Sequence, residues 1–502
     1  MKNDQSLQSR SMRGMNSIAK LFRVSCVLNC ILLTGCHSWQ KSHLAAVHYF
    51  EAGQLADSRE QLTRSLESRG AEKELLTLDH AIVALADGDA QECESALREV
   101  RLKLDYLTQK DAGEQVTAFL SDENAIAWSG RDYERLMVDN ILLLSSLVSN
   151  GTDSFAYATQ VTKRCNDELK TLVAASQKAA GNQSTPGDES SVVRVASHET
   201  LHGTGGVDSL TSSASLQPLA MAAYLTTAVM SESILRQDLA ETARNQVGVW
   251  NKEFADRDAV ADSGGFGMQC PAGWGAVHVI AMVGQAPEWK SESAEPTSTA
   301  LLLADRILSA TGKHSLPPTI APVQIGHPVV SADTPPAGFL TGNVQTAGHH
   351  LPSQGIPLTF LTLVDLNQAA VDSYRTHRDQ EIARAIARRI VKKGAVYAVK
   401  ESQDVTRNSL VDLAVNIGGV IWEAMERPDL RSWRLLPARI EVARTQLPEG
   451  DSEVCIRTAG QRDPLRIPVN IQNGRNTYVV LFVPNRSVSG KVLLGGPEYR
   501  AM

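Results

Sequence analysis

Gly53 and Gly88 lie 35 residues apart, and small or apolar residues flank both in matching order. Ala46 and Tyr49 precede Gly53, and Ser58, Leu62 and Leu66 follow it; Ala81 and Ala84 precede Gly88, and Cys93 and Leu97 follow. Glycine enters the left-handed backbone region at little steric cost, so it ends one helix and lets the chain turn back. Small residues on either side let the two helices approach closely. The spacing therefore predicts antiparallel helix pairs from Ser42 to about Lys170. A third pair is expected at Ile141–Leu169, with Gly151 in the turn and Ala156 at the small position.

The first residues carry a different signal. Lys2, Arg10, Arg13, Lys20 and Arg23 stand against the single acid Asp4, and the apolar run Val24–Leu33 follows. That run falls short of the roughly 20 apolar residues that span a bilayer. A basic start, a short apolar stretch and small residues at its exit make an export signal. The exit, Leu33-Thr34-Gly35-Cys36, resembles the bacterial lipobox. The resemblance implies cleavage between Gly35 and Cys36, lipid on the Cys36 thiol, and a membrane as partner through that anchor. His37 rather than Asp follows the cysteine, which by the sorting rule of such lipoproteins implies the periplasmic face of the outer membrane.

A hydrophobic fraction of 43% and a charged fraction of 21% are those of a folded soluble chain. A net charge of −7 over 502 residues argues against a nucleic-acid partner. Cys93, Cys165, Cys270 and Cys455 are too scattered for a disulfide framework or a zinc knuckle, although one or two disulfides are compatible with an oxidising compartment.

From 180 to 216 the composition turns to Gly, Ser, Thr and Asp, which reads as a linker or loop. Helix resumes from Pro218 to Phe254, and mixed α/β patterning follows Gly264-Gly265. Ala276–Val283 and Leu358–Val364 read as strands, and Asp379–Lys393 as a helix stopped by Gly394, with Arg384, Arg388, Arg389, Lys392 and Lys393 on its exposed face. Strand composition dominates the end of the chain at Arg439–Arg444, Glu453–Arg457, Leu465–Ile471 and Thr477–Val483. Asn473-Gly474 between the last two predicts a hairpin. The expected fold class is α+β. Its parts are a signal peptide at 1–35, helical repeats at 36–179, a linker at 180–216, a helical continuation at 217–262, a mixed α/β region at 263–430 and a small antiparallel β module at 431–502.

One segment matches a catalytic motif. His198-Glu199-Thr200-Leu201-His202 fits the HExxH pattern, in which two histidines one helical turn apart hold zinc and the glutamate acts as base. Gly205 and Asp208 extend it, Asp208 being the third candidate ligand. Its setting argues the other way: the motif lies inside the Gly/Ser-rich stretch, behind the β-branched Val192-Val193-Arg194-Val195. A polar loop holding two histidines fits that setting better than a buried helix. No phosphate-binding loop, dinucleotide fingerprint or nucleophile elbow is present, and His349-His350 reads as loop.

The helix-pair period resembles the tetratricopeptide repeat of about 34 residues, with most of its aromatic and proline positions absent. The block order also resembles an uncharacterised family of large bacterial lipoproteins with tetratricopeptide-like N-terminal halves. The specific blocks are Asp132-Tyr133-Glu134-Arg135 and Arg431-Ser432-Trp433-Arg434-Leu435-Leu436-Pro437. The resemblance implies an envelope protein with no assigned catalytic residues. The residues themselves suggest that Tyr133 opens a helix with its hydroxyl in water, and that Trp433 fastens helix to strand. The expected function is a lipid-anchored, non-enzymatic interaction scaffold with an envelope protein as partner. The alternatives are a zinc metallopeptidase and a regulator of cell-wall synthesis.

Overall fold

The computed structural model describes residues 38–67, 72–108, 127–181, 214–261, 270–311, 316–318, 320–346, 355–402, 428–459 and 461–496. Its contacts divide the chain into two compact units, Met1–Ser68 and Arg69–Met502. The fold class is α+β. Among the described residues no helix is long and apolar enough to cross a membrane.

The first unit is a helical hairpin of α1 (Ser38–Glu51) and α2 (Leu55–Glu67). Gly53 has φ +74°, its N–H bonds Phe50 O, and the N–H of Gln54 reaches back to Tyr49 O. These two bonds close the end of α1 in the αL turn that glycine favours. Ala46 and Ser58 are both fully buried where the helices cross, and Ser58 Oγ donates to Ala46 O at 2.8 Å.

The second unit begins with another hairpin, α3 (Lys73–Ala86) and α4 (Ala90–Thr108). Its turn repeats the first bond for bond: Gly88 has φ +93°, its N–H bonds Leu85 O, and Asp89 N–H bonds Ala84 O. Ala81 and Cys93 are fully buried at the positions that correspond to Ala46 and Ser58. The third pair, α5 (Asp132–Val148) and α6 (Ser154–Gly181), departs from this pattern. Gly151 does take the turn at φ +67°, but Ala156 is exposed, and Ser154 and Ala158 are the small residues that pack. The helical layer closes with α7 (Pro218–Ser231), α8 (Gln237–Trp250) and α9 (Lys252–Ala261). Pro218 opens α7 at its first position, where a missing N–H is harmless.

Within the second unit, beneath its helices, lies a sandwich of two sheets. The strands are β1 (Trp274–Val283), β2 (Glu288–Ala294), β3 (Val323–Val329), β4 (Leu340–Thr346), β5 (Ile356–Leu358), β6 (Leu361–Asp365), β7 (Arg439–Pro448), β8 (Gly450–Thr458), β9 (Leu465–Ile471), β10 (Asn476–Val483) and β11 (Ser489–Gly495). The five-stranded sheet runs β11-β10-β1-β7-β6 and the four-stranded sheet β5-β4-β8-β9. Val277, Val279, Ala281, Val479 and Leu481 face Val344, Val454, Ile456, Ile467 and Val469 across the sandwich core. The alternate residues of β1 and β10, including His278, Ile280, Tyr478 and Val480, are buried too, on the side where Tyr224 of α7 meets His278. Both central strands are therefore apolar without alternation, as strands covered on two faces must be. A separate β2-β3 pair packs with α10 (Ser298–Thr311) and α11 (Leu366–Ser402) around Ala300, Ala304, Ile325, Ile382 and Ile386.

Several expectations change here. The strands of 431–502 do not close a module of their own. β10 pairs in parallel with β1, β7 pairs with β1 and β6, and β8 pairs with β4, so both sheets join strands from either side of residue 430. Asn473-Gly474 makes no hairpin, because β9 pairs with β8 while β10 belongs to the other sheet. The turn instead crosses between sheets and is tied to the start of β1, with Gly273 N–H on Asn473 Oδ1 and Gly474 N–H on Trp274 O. The apolar run 358–364 divides likewise, β5 joining one sheet and β6 the other. α11 starts earlier than Asp379, where Asp365 Oδ1 accepts from Gln368 N–H at its N-terminus, and it continues through Gly394. Its basic face is partly engaged: Arg388 is buried, and Arg389 donates to the carbonyls of Ala321 and Pro322.

Candidate functional site

The residues that carried the sequence motifs lie outside the described residues: Gly35, Cys36, His198, Glu199, His202 and Asp208, as well as His349 and His350. Among the described residues no group of three or more His, Cys, Asp or Glu is placed to hold a metal ion. Cys93, Cys165 and Cys455 are free thiols. Burial pushes Cys93 and Cys165 up to about 12, far from the thiolate that nucleophilic chemistry needs.

The densest polar cluster joins the two sequence blocks, which the fold brings together across about 300 residues of chain. α5 begins at Asp132 after Gly130 (φ +72°) and the extended Arg131. Asp132 and Glu134 occupy its first turn, where the helix dipole favours negative charge. Glu134 reaches back to accept Arg131 N–H at Oε2 (2.7 Å). Its other oxygen accepts Trp433 N–H at 2.9 Å. Asp79 of α3, fully buried, accepts Leu435 N–H at 2.8 Å. The 428–436 segment has no helix or strand of its own, so these carboxylates supply acceptors that a sheet ladder would otherwise provide.

The cations of the cluster complete it. Arg131 Nη1 donates to Arg431 O at 2.7 Å, and its guanidinium lies 3.5 Å from the centre of the Trp289 ring. Arg431 makes a two-pronged contact with Asp429 at 2.9 and 2.8 Å. Trp289 Nε1 donates to Tyr133 Oη at 3.3 Å, and Tyr133 is 1% exposed. The expected wet hydroxyl is therefore a buried one that accepts from Trp289, and burial raises its pKa. Burial also lifts Glu134 above the ordinary carboxylate range, although Arg131 and two backbone N–H groups pull the other way.

A second cluster pins α7 to the sheet. His278 stacks on Tyr478 with ring centres 5.4 Å apart, and its two nitrogens meet Tyr224 Oη (2.8 Å) and Asn476 Oδ1 (3.2 Å). Asn476 Nδ2 donates to Ala228 O, which turns Oδ1 toward the ring. The amide oxygen can only accept, so His278 Nε2 carries a proton toward it, and Nδ1 shares a hydrogen bond with the Tyr224 hydroxyl. A third set links α4, α5 and α6: Asp139 pairs with Arg164 and, at 3.8 Å, with Arg101, while Arg98 bonds Tyr157 and Asp153.

All three clusters bind one element of the fold to another. The sequence blocks pointed to Glu134 and Trp433, but not to Asp79 or His278. Asp79 did leave a trace, as the lone acid in the apolar run Leu75–Ala86. His278 sat inside an apolar strand without a visible partner, because Tyr224 and Asn476 are 54 and 198 residues away. Comparison with family models, with curated proteins and with solved structures finds no match for this chain.

Proposed function

We propose that this protein is a lipid-anchored bacterial cell-envelope protein, held at the membrane through Cys36, that works as a non-catalytic scaffold. Its hairpins are read as tetratricopeptide-like units that offer a docking surface to another envelope protein, since stacked helix pairs expose a groove. The observation that carries the docking reading is on α4, which exposes Leu102 (64%) and Tyr106 (60%) one helical turn apart. The carboxylate cluster beneath supports it, because charges bonded to backbone N–H groups hold the helical layer stiffly and a preorganised surface binds at lower entropic cost.

Two measurements test it. Radiolabelled palmitate should enter the wild type and not Cys36→Ala; equal labelling or none removes the anchor. Crosslinking in cells should recover one recurrent envelope protein, and Leu102→Asp with Tyr106→Asp should abolish its recovery without lowering the melting temperature. Recovery unchanged by that pair of substitutions removes the docking surface.

A further inference from the structure

The outer face of the four-stranded sheet carries a pocket of its own, apart from the three clusters. On β4, β8 and β9, Val344, Val454, Ile456 and Ile467 point into the sandwich core. Strand alternation therefore turns Thr341, Asn343, Gln345, Cys455, Arg457 and Arg466 to the opposite face. The register sets them side by side: Asn343 opposite Cys455, Cys455 opposite Arg466, and Thr341 opposite Arg457. These six residues line a pocket of about 380 Å³. Cys455 is buried in it, while both arginines stand exposed.

The accessible polar groups of this pocket are mostly donors, and its charge is unbalanced. Arg466 donates to Glu453 Oε1, and the Cys455 thiol donates to the same oxygen at 3.4 Å. Among the described residues no carboxylate pairs with Arg457, so one of the two guanidiniums is uncompensated. The arginines are diagonal neighbours on adjacent strands, a spacing of roughly 7–8 Å at which like charges repel. Asn343 Oδ1 is buried without a hydrogen-bond partner, which leaves the amide nitrogen as the accessible end of that side chain. We infer that this pocket binds the phosphate group of a small polar phosphate ester. A phosphate offers three oxygens around one centre, and three strands supply donors to meet them: Arg457 from β8, Arg466 from β9, and Asn343 with Thr341 from β4. Arginine suits this task because its planar fork bonds two phosphate oxygens at once. A planar carboxylate presents only two oxygens and leaves one strand unused. No aromatic side chain lines the pocket, so the ester is held by its charge rather than by stacking a ring or a base. The inference stands independently of the Cys36 anchor and of the docking surface on α4.

Isothermal calorimetry on the full chain in a neutral detergent tests it. The probes are glucose 1-phosphate, glycerol 3-phosphate, inorganic phosphate and glucuronate. At least one of the two esters should bind more tightly than inorganic phosphate and than glucuronate. Which ester binds better tells a sugar phosphate from a phospholipid headgroup as the source. Arg457→Gln should weaken the ester about tenfold or more, with the melting temperature unchanged because the side chain is exposed and unpaired. Arg457→Lys, which keeps the charge without the fork, should fall between the two. Arg486→Gln, on an exposed loop outside the pocket, should bind as the wild type does. The inference is overturned if neither ester binds at millimolar concentration, or if glucuronate binds as tightly as the better ester. It is equally overturned if Arg457→Gln leaves binding intact, or if Arg486→Gln weakens it as much.

Discussion

The hairpin turns at Gly53 and Gly88 and the segment 428–436 meet the same requirement by opposite means. Each must satisfy backbone groups at the end of a regular element. In the hairpins every partner lies within five residues, so a glycine and the preceding helix suffice. In 428–436 the partners of Trp433 and Leu435 are carboxylates 299 and 356 residues away. The local device recurs wherever its few residues recur. The distant one exists only after the helical layer and the sheet have met, and it leaves buried charges whose loss is severe.

The contrast predicts an ordered series of effects. Glu134→Ala should be the most damaging, because it removes the buried carboxylate beside Arg131 and leaves two N–H groups unmet. A loss of about 3–5 kcal/mol is expected in urea denaturation, and a loss below about 1 kcal/mol would place Glu134 with ordinary surface pairs and break the comparison. Asp79→Ala removes the acceptor of one buried N–H and should cost about 1–3 kcal/mol by the same measurement. Gly88→Ala should cost about 1 kcal/mol from the φ of +93°. The added Cβ would meet only the flexible Lys491 side chain, so the backbone conformation sets this value. Gly53→Ala should match it closely if the two turns share one device. A marked inequality between them would show that context outweighs the local motif.

The smallest effect is a pH dependence. Glu441 is buried beside Arg439, and burial holds its carboxyl above the ordinary 4.5 although Arg439 opposes this. The native state therefore takes up this proton more readily than the unfolded chain. The resulting stability is fully present below 4.5 and fades as pH rises through the folded value. Wild type should lose ground to Glu441→Gln as pH increases from about 4 to about 7. A stability difference that stays constant over that range would show that the Glu441 carboxyl titrates alike in the folded and unfolded chain.

Much of the fold was legible in advance. The turns at Gly53, Gly88 and Gly151, the strand at Ala276–Val283, and the strands at Leu465–Ile471 and Thr477–Val483 all appear with boundaries within a few residues. The errors share a cause. Asn473-Gly474 carried a strong turn signal, and a turn is there, but turn chemistry does not state which strand comes to lie alongside. The run 358–364 has strand composition throughout, and nothing local marks the point where it leaves one sheet for the other. Of the cluster at 428–436, the sequence displayed the residues and concealed their contacts.

Hydrogen bonds closed within six residues, and the alternation or constancy of apolar positions, are properties of short stretches. The helix turns and the strands with clear apolar runs were accordingly settled by the sequence alone, whereas β2, β3, β4 and β11, which have more polar or Gly- and Pro-containing sequences, were not expected. Strand order, the parallel pairing of β1 with β10, and the meeting of Asp79 and Glu134 with the 428–436 backbone were decided only in the tertiary structure. Each of these joins residues hundreds of positions apart. Closing so long a loop has an entropic cost that collective burial of the sandwich core and helical layer must offset, and no local pattern records that balance.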